Sequence, residues 1–424
     1  MQGVPKNVPH NLTHHHHHHA AINGGAAANP FDPGAFPSLL SAAAAARRLP
    51  LGRALHALTL TLGLLPSRRS PLLSNALLAV YAACAAAPDA RRAFDEAGAR
   101  DLVSYNTLLA AYSRAGLAAH ARALFDEMPR RDPVSWGTLI SCYARRGLPR
   151  EGLALLRRLL ATRTPPDDVA LASALSCCAQ SGALDQGKMI HRYVERHRGS
   201  PNVYVATGLV DMYAKCGCIG EATQVFEWSP HRNVYTWNAL IGGLAMHGHV
   251  DTSLAYFARM RRSGVRPDGV TLLALLTGCS HAGRVDTAKR LFGEMESVHG
   301  VARELKHYGC MADLLSRAGL IAEAAEMIER MPTRGDAYVW GGLLAGCRIH
   351  HGNVGVAEAV AERLLELDPE DSGVYSIMAE IYAAEKRWED VRRMRRLMER
   401  VRRDAGRSSI EVDRNGLVSM DDDG

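Results

Sequence analysis

The chain repeats itself. Residues 203–233 and 234–268 can be laid over one another. Each opens with an aromatic-bearing amphipathic run (Tyr204 and Tyr213; Tyr235 and Trp237), breaks at a glycine in the same place (Gly217, Gly248) and resumes with an apolar run through Phe226 or Phe257. That is helix, glycine turn, helix, once per thirty-odd residues. A fixed period of this size with one helical hairpin per repeat is the mark of an α-solenoid. One hairpin cannot bury both of its faces, so the repeats must stack. The expected fold is all-α.

Matching segments extend the period. Leu51-Gly52-Arg53-Ala54-Leu55-His56-Ala57 corresponds to Leu184-Asp185-Gln186-Gly187-Lys188-Met189-Ile190-His191, and the helical pattern starts at Phe36. Anchored this way, repeats fall at 71–101, 102–132, 133–167, 168–202, 203–233, 234–268, 269–304 and 305–336, abutting without linkers. Chance self-similarity would not keep that register. Proline closes several of them (Met128-Pro129, Pro166-Asp167, Pro267-Asp268), where it stops a helix at little cost. At 424 residues the chain exceeds one ordinary core, a limit a solenoid escapes by adding repeats.

Four segments follow. Residues 1–32 are low in complexity, with a histidine tract at His14–His19, no acidic residue before Asp32 and only Lys6 basic. This fits an organellar presequence with a weak signal. The repeat array occupies 33–336 and a helical extension of different texture 337–415, before an acidic tail at 416–424. Within the extension, Trp388–Arg403 reads as a helix with an apolar stripe (Val391, Met394, Leu397, Met398, Val401) and a basic remainder. Such a face is either solvated or suited to docking or phosphate contact. Charge is mildly basic, 50 Lys+Arg against 44 Asp+Glu, which permits a polyanionic partner without requiring one. No apolar run is long enough to span a membrane, so none is expected as a partner.

Three chemical readings fail on spacing. Gly182-Ala183-Leu184-Asp185-Gln186-Gly187-Lys188 nearly forms a phosphate loop, but Met189 stands where a magnesium-binding hydroxyl belongs and no strand precedes it. Both glycines sit at repeat-specified turn and helix-contact positions. The nine cysteines lack paired C-x-x-C spacing; Cys216-Gly217-Cys218 belongs to a repeat, and small buried helix residues explain the set. A zinc deaminase needs H-x-E and C-x-x-C, and neither occurs. No cofactor or metal is expected, and the chain is expected not to be an enzyme.

Several segments carry a family resemblance. Tyr105-Asn106-Thr107-Leu108-Leu109, Trp237-Asn238-Ala239-Leu240-Ile241, Tyr213-Ala214-Lys215-Cys216-Gly217, Ser280-His281-Ala282-Gly283 and His307-Tyr308-Gly309-Cys310-Met311 sit in repeats of 31, 35 and 36 residues. Over roughly 36–415 the chain resembles plant pentatricopeptide repeat proteins of the mixed-length subfamily, with C-terminal E motifs and without the deaminase domain ending Asp-Tyr-Trp. The resemblance implies a right-handed superhelix that binds single-stranded RNA in mitochondria or chloroplasts, mitochondria slightly favoured. Members with E motifs mostly specify sites of C-to-U editing. The implied partners are organellar RNA, a deaminase-bearing repeat protein and other editing factors acting in trans.

The resemblance also places the RNA-reading side chains, at the fifth and last residue of a repeat. The pairs are Asn75 with Asp101, Asn106 with Asp132, Gly137 with Asp167, Thr207 with Asn233, and Asn238 with Asp268. Ala172 and Leu273 offer no polar fifth residue, and Gly309 with Asp336 is poorly specified. Asp or Asn before a helix is also an ordinary cap, which would account for the closing residue but not for its polar counterpart. Ionised Asp only accepts hydrogen bonds, matching uracil N3–H or guanine N1–H, whereas Asn also donates and suits adenine or cytosine. By the resemblance, Asn at the fifth position goes with pyrimidines and Thr with purines. Read 5′ to 3′, the array expects U, U, a keto base, an unspecified base, A, then U. Intron splicing or transcript stabilisation is the first alternative, and a protein-binding scaffold similar to tetratricopeptide repeats the second.

Overall fold

The computed structural model describes residues 35–65, 71–199, 201–332 and 335–401. The presequence candidate 1–32 with its histidine tract, and the tail beyond 401, lie outside them. The described residues divide between two compact units, Met1–Ala111 and Tyr112–Gly424. All regular structure among them is helical.

In the first unit α1 (Phe36–Ala45) pairs with α2 (Leu49–Thr61), and α3 (Leu72–Ala83) with α4 (Ala87–Glu96). Helix α5 (Leu102–Arg114) contains the division, and α6 (Ala118–Glu127) follows. The next hairpins are α7 (Pro133–Arg145) with α8 (Pro149–Ala161), α9 (Asp168–Ser181) with α10 (Leu184–Arg198), and α11 (Val203–Lys215) with α12 (Ile219–Trp228). Then come α13 (Val234–Met246) with α14 (Val250–Arg262), α15 (Gly269–His281) with α16 (Val285–Ser297), and α17 (Leu305–Arg317) with α18 (Ile321–Glu329). The extension adds α19 (Ala337–Ile349), α20 (Val354–Leu367), α21 (Ser372–Ala384) and α22 (388–401). From α7 to α19 each odd-numbered helix stacks on the next odd one, while each even helix packs on its hairpin partner and the following odd helix. The chain is an all-α helical repeat solenoid.

Each hairpin turns on a left-handed residue. Gly217 (φ 80°) ends α11, and the next amide, Cys218, donates back to Tyr213 O at 2.9 Å. Gly248 (φ 79°) does the same after α13, with His249 donating to Leu244 O at 2.9 Å. Glycine takes this conformation without a Cβ penalty. In repeat 71–101 Ala85 adopts it instead (φ 53°), and Ala86 closes the same bond to Tyr81 O at 2.9 Å. Stacking needs small residues too. A Cβ on Gly278 of α15 would lie 2.8 Å from Ala245 Cβ and 3.2 Å from Ala245 Cα, so the two helices meet almost backbone to backbone.

The seams between several repeats share one device. Phe226 at the end of α12 meets Trp237 of α13 edge to face, centroids 4.7 Å apart. Arg232 lies over the same Phe226 ring at 4.8 Å and forks onto two carbonyls, Nε to Phe226 O and Nη2 to Glu227 O, each 2.7 Å. The guanidinium thereby satisfies carbonyls that the helix end leaves open. Arg100 with Phe94, Arg131 with Phe125 and Arg303 with Phe292 repeat the arrangement. In each case the arginine immediately precedes the closing residue of the repeat, so the clamp also places that residue.

Six cysteines are buried: Cys142, Cys177, Cys178, Cys279, Cys310 and Cys347. Burial pushes the thiols of Cys177 and Cys178 up to about 11 and about 12. Gly182 (φ 65°) caps α9 and Gly187 faces Met212, so both glycines of the near-miss phosphate loop serve turn and helix contact. In α22, Val391 is buried, Met394, Leu397, Met398 and Val401 are half-buried, and Arg392, Arg393, Arg395, Arg396 and Arg400 are exposed.

Candidate nucleic-acid interface

Every repeat boundary falls one residue before an odd-numbered helix. The closing residue is therefore that helix's N-cap. Asp132, Asp167, Asn233, Asp268 and Asp336 each accept from the amide three residues on, at 2.7–3.0 Å, and Asn202 accepts from Tyr204 and Val205. Asp101 accepts from Ser104 N–H at 2.9 Å. Capping, one of the two readings the sequence allowed for these positions, is thus real. It does not exclude the other.

In several repeats the fifth residue approaches the same closing side chain. Asn75 Nδ2 donates to Asp101 Oδ1 at 3.1 Å, and Asn238 Nδ2 to Asp268 Oδ1 at 3.0 Å. Thr207 joins Asn233 through one intervening hydroxyl: Thr207 Oγ1 lies 2.7 Å from Thr236 Oγ1, which donates to Asn233 Oδ1 at 3.1 Å. Gly137 has no side chain to offer, yet a Cβ there would sit 2.9 Å from Asp167 Oδ1. So the structure brings together the expected partners in repeats 71–101, 133–167, 203–233 and 234–268. In the remaining repeat Asn106 is half-buried on α5, and Asp132 caps α7.

The carboxylates are held ionised. Burial alone would raise the Asp268 carboxyl, but hydrogen bonds from the Thr271 amide and the Asn238 side chain oppose it, and the carboxyl is held below the ordinary value of 3.8. For Asp101 the same opposition, burial against Ser104 and Asn75, ends the same way. At neutral pH each carboxylate is an acceptor only. The Asn238 side-chain amide and the Thr271 backbone amide both donate to Asp268 Oδ1, and a carboxylate has lone pairs to spare.

Where the sequence offers no polar fifth residue, the local arrangement differs. Asn202 turns its amide onto the Asp168 carboxylate. Tyr338 fills the space at Gly309, where a Cβ would come within 2.5 Å of the ring.

Two further sets of residues line this edge; the sequence reading used Tyr204 and Tyr235 only as landmarks of the repeat and gave neither set a binding role. The second residue of most repeats is large, apolar and exposed, among them Val103, Val134, Val169, Tyr204, Tyr235 and Val270; Tyr204 is 69% exposed and Tyr235 66%. An apolar residue facing solvent at a fixed position of successive repeats was the available signal. The third residue is Ser104, Ser135, Thr236 or Thr271 in four repeats, and each is buried. At the other end of these helices stand exposed cations. Lys215 pairs with Asp211 at 2.9 Å, Arg317 with Asp313 at 2.5 Å, and Arg145 donates to Ser113 Oγ at 2.6 Å.

Known proteins match this chain over most of its length. The family model described as the PPR repeat matches residues 103–132, 134–161, 270–298 and 306–336, that of the PPR repeat family 232–281, and that of the E motif 351–411. The pentatricopeptide repeat-containing protein At5g61800 of Arabidopsis thaliana is 50% identical over 385 residues, covering 88% of this chain and 76% of the relative. A second Arabidopsis relative, the mitochondrial At2g22410, is 49% identical over 82% of this chain, which spans only 51% of it. The chloroplastic At1g08070, also from Arabidopsis, is 41% identical over 62% of this chain and 36% of its own length. Among solved structures, the maize protein PPR10 in complex with an 18-nucleotide psaJ RNA element superposes with a TM-score of 0.64 at 17% identity, over 87% of this chain and 61% of that one. That likeness is one of fold.

Proposed function

Because the chain belongs to the pentatricopeptide repeat family, we propose that its odd-helix edge reads single-stranded RNA, one base per repeat, and that the protein acts as a site-recognition factor in organellar RNA processing. The observation that carries this reading is the direct bond between fifth and closing residues, Asn75 with Asp101 and Asn238 with Asp268. A cap needs only the helix it starts, so capping gives no reason for a side-chain amide from another helix to converge on the same oxygen. The pair instead makes a small polar notch with an ionised acceptor and a spare amide proton, chemistry suited to the edge of a base. Exposed Tyr204, Tyr235 and their aliphatic counterparts supply faces against which unstacked bases can lie. Relatives named mitochondrial and chloroplastic support an organellar setting and leave the choice between the two to experiment.

Within that setting the finer reading is C-to-U editing. Repeats within 33–336 would position the target cytidine, and residues 337–415, with the match to the E motif, would recruit a deaminase-bearing protein in trans. No catalysis is assigned to the chain itself. The test is a titration of the full chain against single-stranded and duplex RNA of the same sequence, followed by a survey of organellar transcripts after loss of the protein. Salt-sensitive preference for the single strand is expected, because paired bases cannot be splayed onto the edge. Equal affinity for the duplex would refute base reading. Unspliced or depleted transcripts with intact editing would move the function to the splicing or stabilisation reading.

A further inference from the structure

Resting on that reading, we propose that the hydroxyl at the third position of a repeat is a positioning residue for base recognition by the repeat before it. Thr271 Oγ1 donates to Asn238 Oδ1 at 2.5 Å, lies 3.0 Å from Asp268 Oδ1 and accepts from the Asp268 amide at 3.1 Å. Both ends of the Asn238 amide are thereby fixed: Nδ2 on the carboxylate, Oδ1 on the hydroxyl. Turning the amide over would set its oxygen against an ionised carboxylate. What remains for a base is one N–H of Nδ2 and one lone pair of Oδ1, in a single orientation.

The arrangement recurs. Ser104 Oγ donates to Asn75 Oδ1 at 2.6 Å and lies 2.9 Å from Asp101 Oδ1. Thr236 bridges Thr207 and Asn233.

The sequence then supplies a control. A polar fifth residue is followed by a hydroxyl at the next third position in four repeats: Asn75 by Ser104, Asn106 by Ser135, Thr207 by Thr236, Asn238 by Thr271. Where the fifth residue is Gly137, Ala172, Leu273 or Gly309, the third residues are Ala170, Val205, His307 and Val339. Helix capping does not require the hydroxyl. Asp167 caps α9 with Ala170 at the third position, and Asn202 caps α11 with Val205 there. The hydroxyl follows the fifth residue, not the cap.

Three residues from two repeats therefore form one reading element, and the array discriminates bases in two doublets. Repeats 71–101 and 102–132 select, 133–167 and 168–202 tolerate, and 203–233 and 234–268 select again. Asp167 opposite Gly137, which the family resemblance pairs with a keto base, falls among the tolerant repeats.

The test titrates the full chain against RNAs carrying 5′-UUGAAU-3′ and varied at the last nucleotide, the one facing repeat 234–268. Thr271→Val deletes the hydroxyl and keeps the shape, and Thr271→Ser returns it. The wild type should favour U; Thr271→Val should lower that preference by roughly three- to tenfold, the worth of one hydrogen bond, and Thr271→Ser should restore it. Ser104→Ala, read at the first nucleotide, gives the same measurement should Thr271→Val fail to fold. Base preference unchanged in the variants overturns the proposal, as does an equal loss of affinity for all four RNAs together with lowered thermal stability. A wild type without preference at any of the six nucleotides would instead overturn the reading of RNA on which it rests.

Discussion

The side chain of Asn238 donates to a carboxylate thirty residues further along the chain, its Nδ2 lying 3.0 Å from Asp268 Oδ1. Asn238 stands in the second turn of α13, and Asp268 caps α15. One oxygen thus starts the helix of the next repeat and holds a side chain of its own repeat. Stability and base reading are coupled at that atom, and substitutions separate them.

Asp268→Asn should leave stability nearly unchanged, because asparagine caps as well as aspartate, whereas Asp268→Ala should cost about 1–2 kcal/mol. The base preference should respond differently. Asn238→Thr keeps the acceptor but removes the pyrimidine-matched amide, so guanine should replace uracil. Adding Asp268→Asn copies the pair Thr207 and Asn233 and should move the preference to adenine. Each switch should change relative affinity about five- to a hundredfold, measured by titration against four RNAs differing at one nucleotide.

Acid should weaken the same caps. The Asp101 and Asp268 carboxyls titrate below 3.8 in the folded chain, so their contribution is complete above that value and is lost as pH falls through the lowered ones. Between pH 7 and 5 these caps should contribute no change; below about 4 thermal stability should drop through them. The drop should be smaller in Asp268→Asn, as followed by circular dichroism.

Arg232→Ala should cost about 1–3 kcal/mol by uncapping α12 and freeing the Phe226 ring, and Arg232→Lys should recover little of it. An ammonium cannot fork onto Phe226 O and Glu227 O while lying flat on the ring. Amide hydrogen exchange at the end of α12 reads the effect locally.

Ala85→Gly should stabilise the chain by about 0.5–1 kcal/mol. The left-handed conformation at φ 53° costs alanine about 1–2 kcal/mol, more than the roughly 0.5–1 kcal/mol of chain entropy that glycine adds to the unfolded state. Gly278→Ala should go the other way by about 1–3 kcal/mol, since the new methyl would meet Ala245 Cα at 3.2 Å. Thermal denaturation of the two variants decides both signs.

The hairpin repeat, its period and the positions of its turns are legible in the residues alone. Those follow from local chemistry: glycine at Gly217 and Gly248 takes a left-handed turn, apolar residues recur at helical spacing, and Asp or Asn precedes α7, α9, α11, α13, α15 and α19 as the cap. The sequence also named the fifth and closing residues, through likeness to a family. It did not show that Asn238 donates to the Asp268 oxygen that caps α15, or that Thr271 lies against both. Nor did it show that Tyr204 and Tyr235, landmarks of the repeat in the sequence, face solvent, since they read along the chain as ordinary apolar positions of an amphipathic helix. Those facts belong to the stacking of one hairpin on the next. Residues some thirty apart meet only when α13 lies against α15, at a separation set by glycines such as Gly278. A linear pattern records what each residue is and which helix it starts. Which side chains converge on one oxygen, and which apolar ones are left facing water, depends on the distance between helices, and only the packed structure fixes that.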